Sequence, residues 1–177
     1  MARTSTTVGW VMCVMVSHAA YGQTQQAGTR LKFESGLAKT VVQQAIRGAA
    51  ARLEHEACQL VLTDFTDEFG RTLRQNLERL ERRPAEFLAE LWFVDRSSEP
   101  SCKQNHDAVA AFTNPFSRVV YVCGAHFISP QLALRGRPGE FVIIHEMLHA
   151  LGLGEYGRNP TPQAITSRII DRCGNVG

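Results

Sequence analysis

The 177-residue sequence is most informative first for what it lacks. It has no C-x-x-C pair, which weighs against a cysteine-built zinc site and favours disulfides. It has no D-x-D-x-D-G loop. The acidic stretch "TDFTDEFG" (63–70) therefore reads as a turn and not as a calcium site. Neither charge sign dominates: 19 Lys and Arg stand against 17 Asp and Glu, a formal net charge of +2. That balance points away from nucleic acid and from an anionic membrane surface, and the one basic cluster, "RLERR" (79–83), reads as a solvated helix face. No repeat period and no low-complexity tract are visible. What remains is an ordinary composition, 44% hydrophobic and 20% charged, that fits one globular, monomeric domain.

The apolar run "VGWVMCVMV" (8–16) is too short to span a bilayer. With Arg3 before it and the small residues of "AYG" ahead of Gln23, it reads as the core of a signal peptide. Residues 1–22 are then expected to be removed, leaving a secreted or periplasmic domain over 23–177 with no membrane attachment. Cys13 leaves with the signal, and no small residue of the lipoprotein kind precedes it. Four cysteines stay: Cys58, Cys102, Cys123 and Cys173. An even count in an exported chain predicts two disulfides. Of the three pairings, Cys102–Cys123 is favoured as a brace for a hairpin, and Cys58–Cys173 as a tie from a long helix to a closing one.

Residues 23–33 are polar and read as a loose N-terminus. From Ser35, a plausible N-cap, apolar residues recur at helical spacing through Leu37, Val41, Val42, Ala45, Ile46, Ala49 and Leu53. This predicts a long helix running on to about Leu62. A second helix is expected over 71–81, and Pro84 opens a third. "LWFVD" reads as a strand, and residues 108–123 as a hairpin turning at Asn114-Pro115, with a short turn at Ser129-Pro130. Pro138-Gly139 precedes an apolar helix, and Thr161-Pro162 opens a closing helix to Cys173. The fold class is α+β: a helical N-terminal half, a small sheet with a hairpin, then two helices.

The apolar helix carries the chemistry. "EFVIIHEMLHALGLGEYG" (140–157) contains H-E-x-x-H. Residues four apart share a helix face, so His145 and His149 can present ring nitrogens to one metal ion without distorting the backbone. Glu146, offset from them, reaches a water beside that metal and can act as its general base. A chance H-E-x-x-H is expected on the order of once in a hundred unrelated chains of this size. The plainer alternative is a pair of satisfied core histidines. The surrounding Phe141, Val142, Ile143, Ile144, Met147, Leu148 and Leu151 argue against it, because two buried histidines and a glutamate need partners and one metal serves both histidines.

The run H-E-M-L-H-A-L-G-L-G-E resembles the zincin metallopeptidases, with the spacing of the metzincin signature H-E-x-x-H-x-x-G-x-x-H. Gly152 matches the family glycine, and Glu155 stands where the third histidine would be. No Met-turn is visible. With "AFTNPFSRVVYVCGAHF" and the closing helix, the chain over about 58–173 is similar to small secreted bacterial proteins of metallopeptidase type. The resemblance implies a zincin-like fold, a Zn2+ cofactor and a peptide or protein substrate. It also implies a strand beside the cleft that pairs with extended substrate, "AVAAFT" or "RVVYV". Glu155 is the leading third ligand, and Asp171 on the closing helix is the alternative. His126 and Tyr156 are near enough in sequence to line a cleft. His55 and His106 carry nothing beyond packing or surface roles.

The expected function is a secreted zinc-dependent endopeptidase, with His145, His149 and Glu155 on zinc and Glu146 as base. A disulfide-stapled binding module with structural zinc is the first alternative, and a zinc amidase the second.

Overall fold

The chain alternates between helix and strand because its apolar spacing does. In the computed structural model, residues 29–104, 109–129, 139–155 and 160–176 are described. Residues 1–22, expected to be a signal peptide, His106, Tyr156 and the turn expected at Pro130 lie outside them.

The order of elements is β1 (Arg30–Lys32), α1 (Gly36–Leu53), α2 (Glu56–Gln59), α3 (Val61–Asp64), α4 (Leu73–Arg79), α5 (Pro84–Ala89) and β2 (Trp92–Asp95). There follow α6 (Pro100–Gln104), β3 (Ala111–Phe112), β4 (Val119–Val122) and α7 (Gly124–Phe127), then the motif helix α8 (Gly139–Ala150) and the closing helix α9 (Pro162–Cys173). The architecture is α+β. The sheet runs β1-β2-β4-β3, with β1, β2 and β4 parallel and β3 antiparallel to β4. Phe93, Val120 and Val122 are fully buried, while Trp92 is 45% exposed, so one face of the sheet is inward and the strands alternate accordingly.

Two expectations need correcting. Residues 30–32, expected to be loose, form strand β1, in register with Trp92, Phe93 and Val94. Three residues hold too little alternation to show as a strand. Pairing with β2 makes it one, helped by the Arg30 guanidinium 4.8 Å from the centre of the Trp92 ring. The long first helix also stops early. Its buried positions, Val42, Ala45, Ile46, Ala49 and Leu53, step at helical intervals, but the next buried residue is Cys58, one place beyond the position that would continue them. The chain resolves that slip by breaking at Glu54-His55 and re-entering helix at α2 and α3.

Most caps follow the sequence signals. Ser35 accepts from Ala38 N–H, Thr161 from Ala164 N–H, and Thr72 forms a capping box with Gln75. The helix expected over 71–81 is accordingly trimmed to α4.

The hydrophobic core lies between α1, α8, α9 and the inner face of the sheet. Helix α1 approaches α8 closely at Gly48, where a Cβ would stand 2.5–2.7 Å from the Glu140 side chain. Arg52 of α1 bonds Glu140 Oε2 at 2.7 Å and also reaches the carbonyls of Cys173 and Val176. The closing helix is fastened twice more. A disulfide joins Cys58 to Cys173, and Arg172 forks onto both Asp64 oxygens at 2.8 and 2.9 Å. Cys58 lies on α2, so the bridge ties that short helix, not α1, to α9. The second disulfide, Cys102–Cys123, joins α6 to the end of β4. Two disulfides fit an oxidising compartment, and no helix among the described residues is long and apolar enough to cross a membrane.

Candidate metal centre

Helix α8 puts His145 and His149 one turn apart, with ring centroids 4.9 Å from each other. A Schellman turn closes the helix: Leu153 N–H bonds Leu148 O at 3.1 Å and Gly152 N–H bonds His149 O at 2.8 Å. Gly152 takes φ +111°, a left-handed conformation that side chains resist. The same glycine leaves room for the Phe116 ring, which a Cβ at 152 would strike. The turn reverses the chain, and two residues downstream of Leu153 the Glu155 carboxylate returns to the histidines.

Glu155 Oε1 lies 3.1 Å from His145 Nε2 and 3.1 Å from His149 Nε2. The ring nitrogens on the far sides are also engaged: His149 Nδ1 is 2.7 Å from Leu153 O, and His145 Nδ1 is 3.2 Å from the Thr166 hydroxyl on α9. A carbonyl only accepts, so His149 donates its Nδ1–H to Leu153. Burial holds the His149 imidazole below its ordinary value, against the pull of the Leu153 carbonyl, and so favours the neutral ring. A neutral ring with its proton on Nδ1 turns the Nε2 lone pair toward Glu155 Oε1, itself an acceptor. Two acceptors at 3.1 Å repel unless a cation lies between them.

A metal ion meets that need. His145, His149 and Glu155 each offer one ligand atom, all within 4.8 Å of one another, and the group can hold a metal ion. Bonds of about 2.0–2.2 Å at tetrahedral angles place ligand atoms about 3.3–3.5 Å apart, close to the two 3.1 Å separations from Glu155 Oε1. Hydrogen bonds that orient both imidazoles from behind are the usual support of such ligands. The Glu155 carboxyl is held below its ordinary value, chiefly by its contact with His145, and so stays ionised for a cation.

Glu146 has a different environment. It is 4% exposed, and burial pushes its carboxyl up to about 7 despite the opposing influence of His145 and of the nearby Thr113 hydroxyl. Thr113 lies close enough to act on that charge, yet the two groups do not align into a hydrogen bond: Glu146 Oε2 and Thr113 Oγ1 are both buried without a partner. A buried carboxylate oxygen without a partner is costly, so this oxygen calls for a partner that the protein itself does not supply.

Asp171, the alternative third ligand, is exposed on the last turn of α9 and is not part of the group. His126 Nδ1 lies 2.8 Å from Val109 O and so pins the segment leading into β3. His55 is the exposed N-cap residue of α2. Three contributors escaped sequence reasoning: Thr113, Thr166 and the Leu153 carbonyl. Thr166 is 21 residues from His145, and no local pattern announces it. Of the two strand segments considered for substrate pairing, β4 is bonded on both sides by β2 and β3, so among the described residues only β3 has an edge that no strand pairs with. Comparison with protein-family models, with curated proteins and with solved structures found no match.

Proposed function

We propose that this protein is an exported zinc-dependent hydrolase of zincin type, acting on peptide bonds. The observation that carries the reading is the convergence of two imidazole Nε2 atoms on one Glu155 oxygen, beside a buried, unpartnered Glu146 carboxylate. His145, His149 and Glu155 hold the zinc. Zinc so held supplies Lewis acidity to a water and to a substrate carbonyl. Glu146 takes the proton of the attacking water and returns it to the leaving amine, the two halves of general acid–base catalysis. The free edge of β3 offers main-chain groups to an extended substrate. Thr113 follows β3 directly, next to Glu146, so a peptide on that edge passes the base.

The test is Glu146→Gln. This nearly isosteric change removes the base and spares the ligands, so zinc content should be retained while peptide turnover falls about 10²–10⁴-fold. Equal turnover in both proteins would move the reading to a binding module with a structural metal, for which an acid at position 146 has no use.

A further inference from the structure

The acidic stretch that reads as a plain turn in the sequence lies against the end of the motif helix. Asp67 is 4% exposed and gathers hydrogen bonds from Phe69 N–H, Arg71 N–H, Arg71 Nε and Asn76 Nδ2, each at 2.9 Å. Asn76, 8% exposed on α4, spends its second amide hydrogen on Leu151 O at 2.9 Å. That carbonyl belongs to the residue just past α8, where no further helical N–H arrives. The next residue is Gly152, the most permissive in the turn, followed by the Leu153 carbonyl that holds His149 and then by Glu155.

We infer that Asn76, held in turn by Asp67, is a positioning residue of the metal centre: it fixes the peptide plane from which the third ligand departs. The inference rests on the metal reading above. Leu151 is 1% exposed, so a carbonyl released by Asn76 would find no water and would have to rotate to find another donor. Rotation at the 151–152 peptide is resisted little by a glycine. It displaces the Leu153 carbonyl and Glu155 together, although neither touches Asn76.

The experiment titrates purified mature protein with Zn2+, and with Co2+ for its visible spectrum, without any substrate. Asn76→Leu keeps the branched outline of the side chain and removes both bonds. Asp67→Asn leaves Asn76 in place but loosens its hold. A control, Phe93→Leu, thins the sheet core away from the turn. Outer partners of metal ligands commonly contribute 10–100-fold to affinity. Asn76→Leu should therefore weaken zinc binding about tenfold or more and alter the Co2+ spectrum, with Asp67→Asn intermediate. Phe93→Leu should lower the melting temperature and leave both metal readouts unchanged. If Asn76→Leu lowers only the melting temperature, the residue is structural and the inference is overturned. Should Asn76→Leu not fold, Asp67→Asn decides on the same readouts. If the wild type binds no metal, the reading of the site fails, and this inference with it.

Discussion

Helices α8 and α9 are both twelve residues long, lie side by side, and are built on opposite plans. Helix α8 buries eight of its residues, Glu146 and His149 among them, whereas α9 buries three: Ile165, Ile169 and Cys173. Apart from Thr166, which meets His145, and Arg172, which meets Asp64, the polar residues of α9 face water, and their identities say little. Those of α8 were taken from water at a cost, so each must be repaid by a partner, and the partners describe a function. Attachment differs as well. Burial holds α8, while α9, with one apolar stripe, is fastened by the Cys58–Cys173 disulfide and the Asp64–Arg172 fork.

The sharpest break of this comparison sets the proposed metal ligands on α8 against a carboxylate on α9. The wild type should bind about one zinc per chain, and His145→Ala combined with His149→Ala should abolish stoichiometric binding, as elemental analysis would record. Glu155→Gln, in which a carboxamide replaces the anionic ligand, should lower affinity in a zinc titration. Asp171→Asn on α9 should leave it unchanged. The reverse ranking of those two variants would mean that the third ligand is misassigned.

Next in size is the covalent tie. The Cys58–Cys173 bridge spans a sequence separation of 115, for which the chain-entropy model gives about 4–5 kcal/mol, against about 3 for the separation of 21 in Cys102–Cys123. Replacing Cys58 and Cys173 by serine should therefore destabilise more than replacing the other pair, as urea unfolding would measure. Hydrogen exchange should localise the loosening to α9 before α8. If α8 exchanges first, burial is not what holds it.

Side-chain truncation sharpens the contrast without touching a cysteine. Ile144 on α8 is fully buried, while Ile170 on α9 is 38% exposed. Ile144→Ala should cost about 2–5 kcal/mol through lost burial and a cavity. Ile170→Ala should fall well short of that, because the site is open to solvent and leaves no cavity. Equal losses in the two variants would mean that α9 packs more tightly than its exposure indicates.

The contrast between the helices also explains what was legible in the sequence. The apolar continuity of 141–151 announced a buried helix, and the histidine spacing on it announced two ring nitrogens that a metal ion could share, because both signals are local and periodic. Ser35, Thr161, Pro84 and Pro162 marked helix starts for the same reason. Strand β1 was invisible because its three residues owe their conformation to β2, distant in sequence. The break at Glu54-His55 was masked because apolar residues continue beyond it, one position out of phase. Thr166, Thr113 and Asn76 serve the site from other elements, and only the folded chain brings them to it.

The smallest expected effect concerns two carboxylates, one at the end of each helix. Asp64 pairs with Arg172 of α9 across a half-open surface, where solvent screening leaves such a pair about 0–1 kcal/mol. Asp67 stands behind the C-terminal turn of α8. Burial would raise its pKa, but the hydrogen bonds from Asn76, Arg71 and Phe69 outweigh burial and bring it from 3.8 to about 2. A carboxyl whose folded value lies below its unfolded one stabilises the fold above the unfolded value. It loses that contribution as pH falls through the folded value, so the window here runs from about pH 4 down to about pH 2. The shift corresponds to at most about 2.4 kcal/mol, and screening close beneath the surface reduces it to about 1–2 kcal/mol. Asp67→Asn removes this titration and with it the charged bonds to Arg71. Urea unfolding of both proteins from pH 7 to pH 2 should show the wild type ahead at neutral pH and the gap narrowing across that window. A gap that stays constant would mean that Asp67 acts through shape alone, and that the turn behind the metal centre does not depend on its charge.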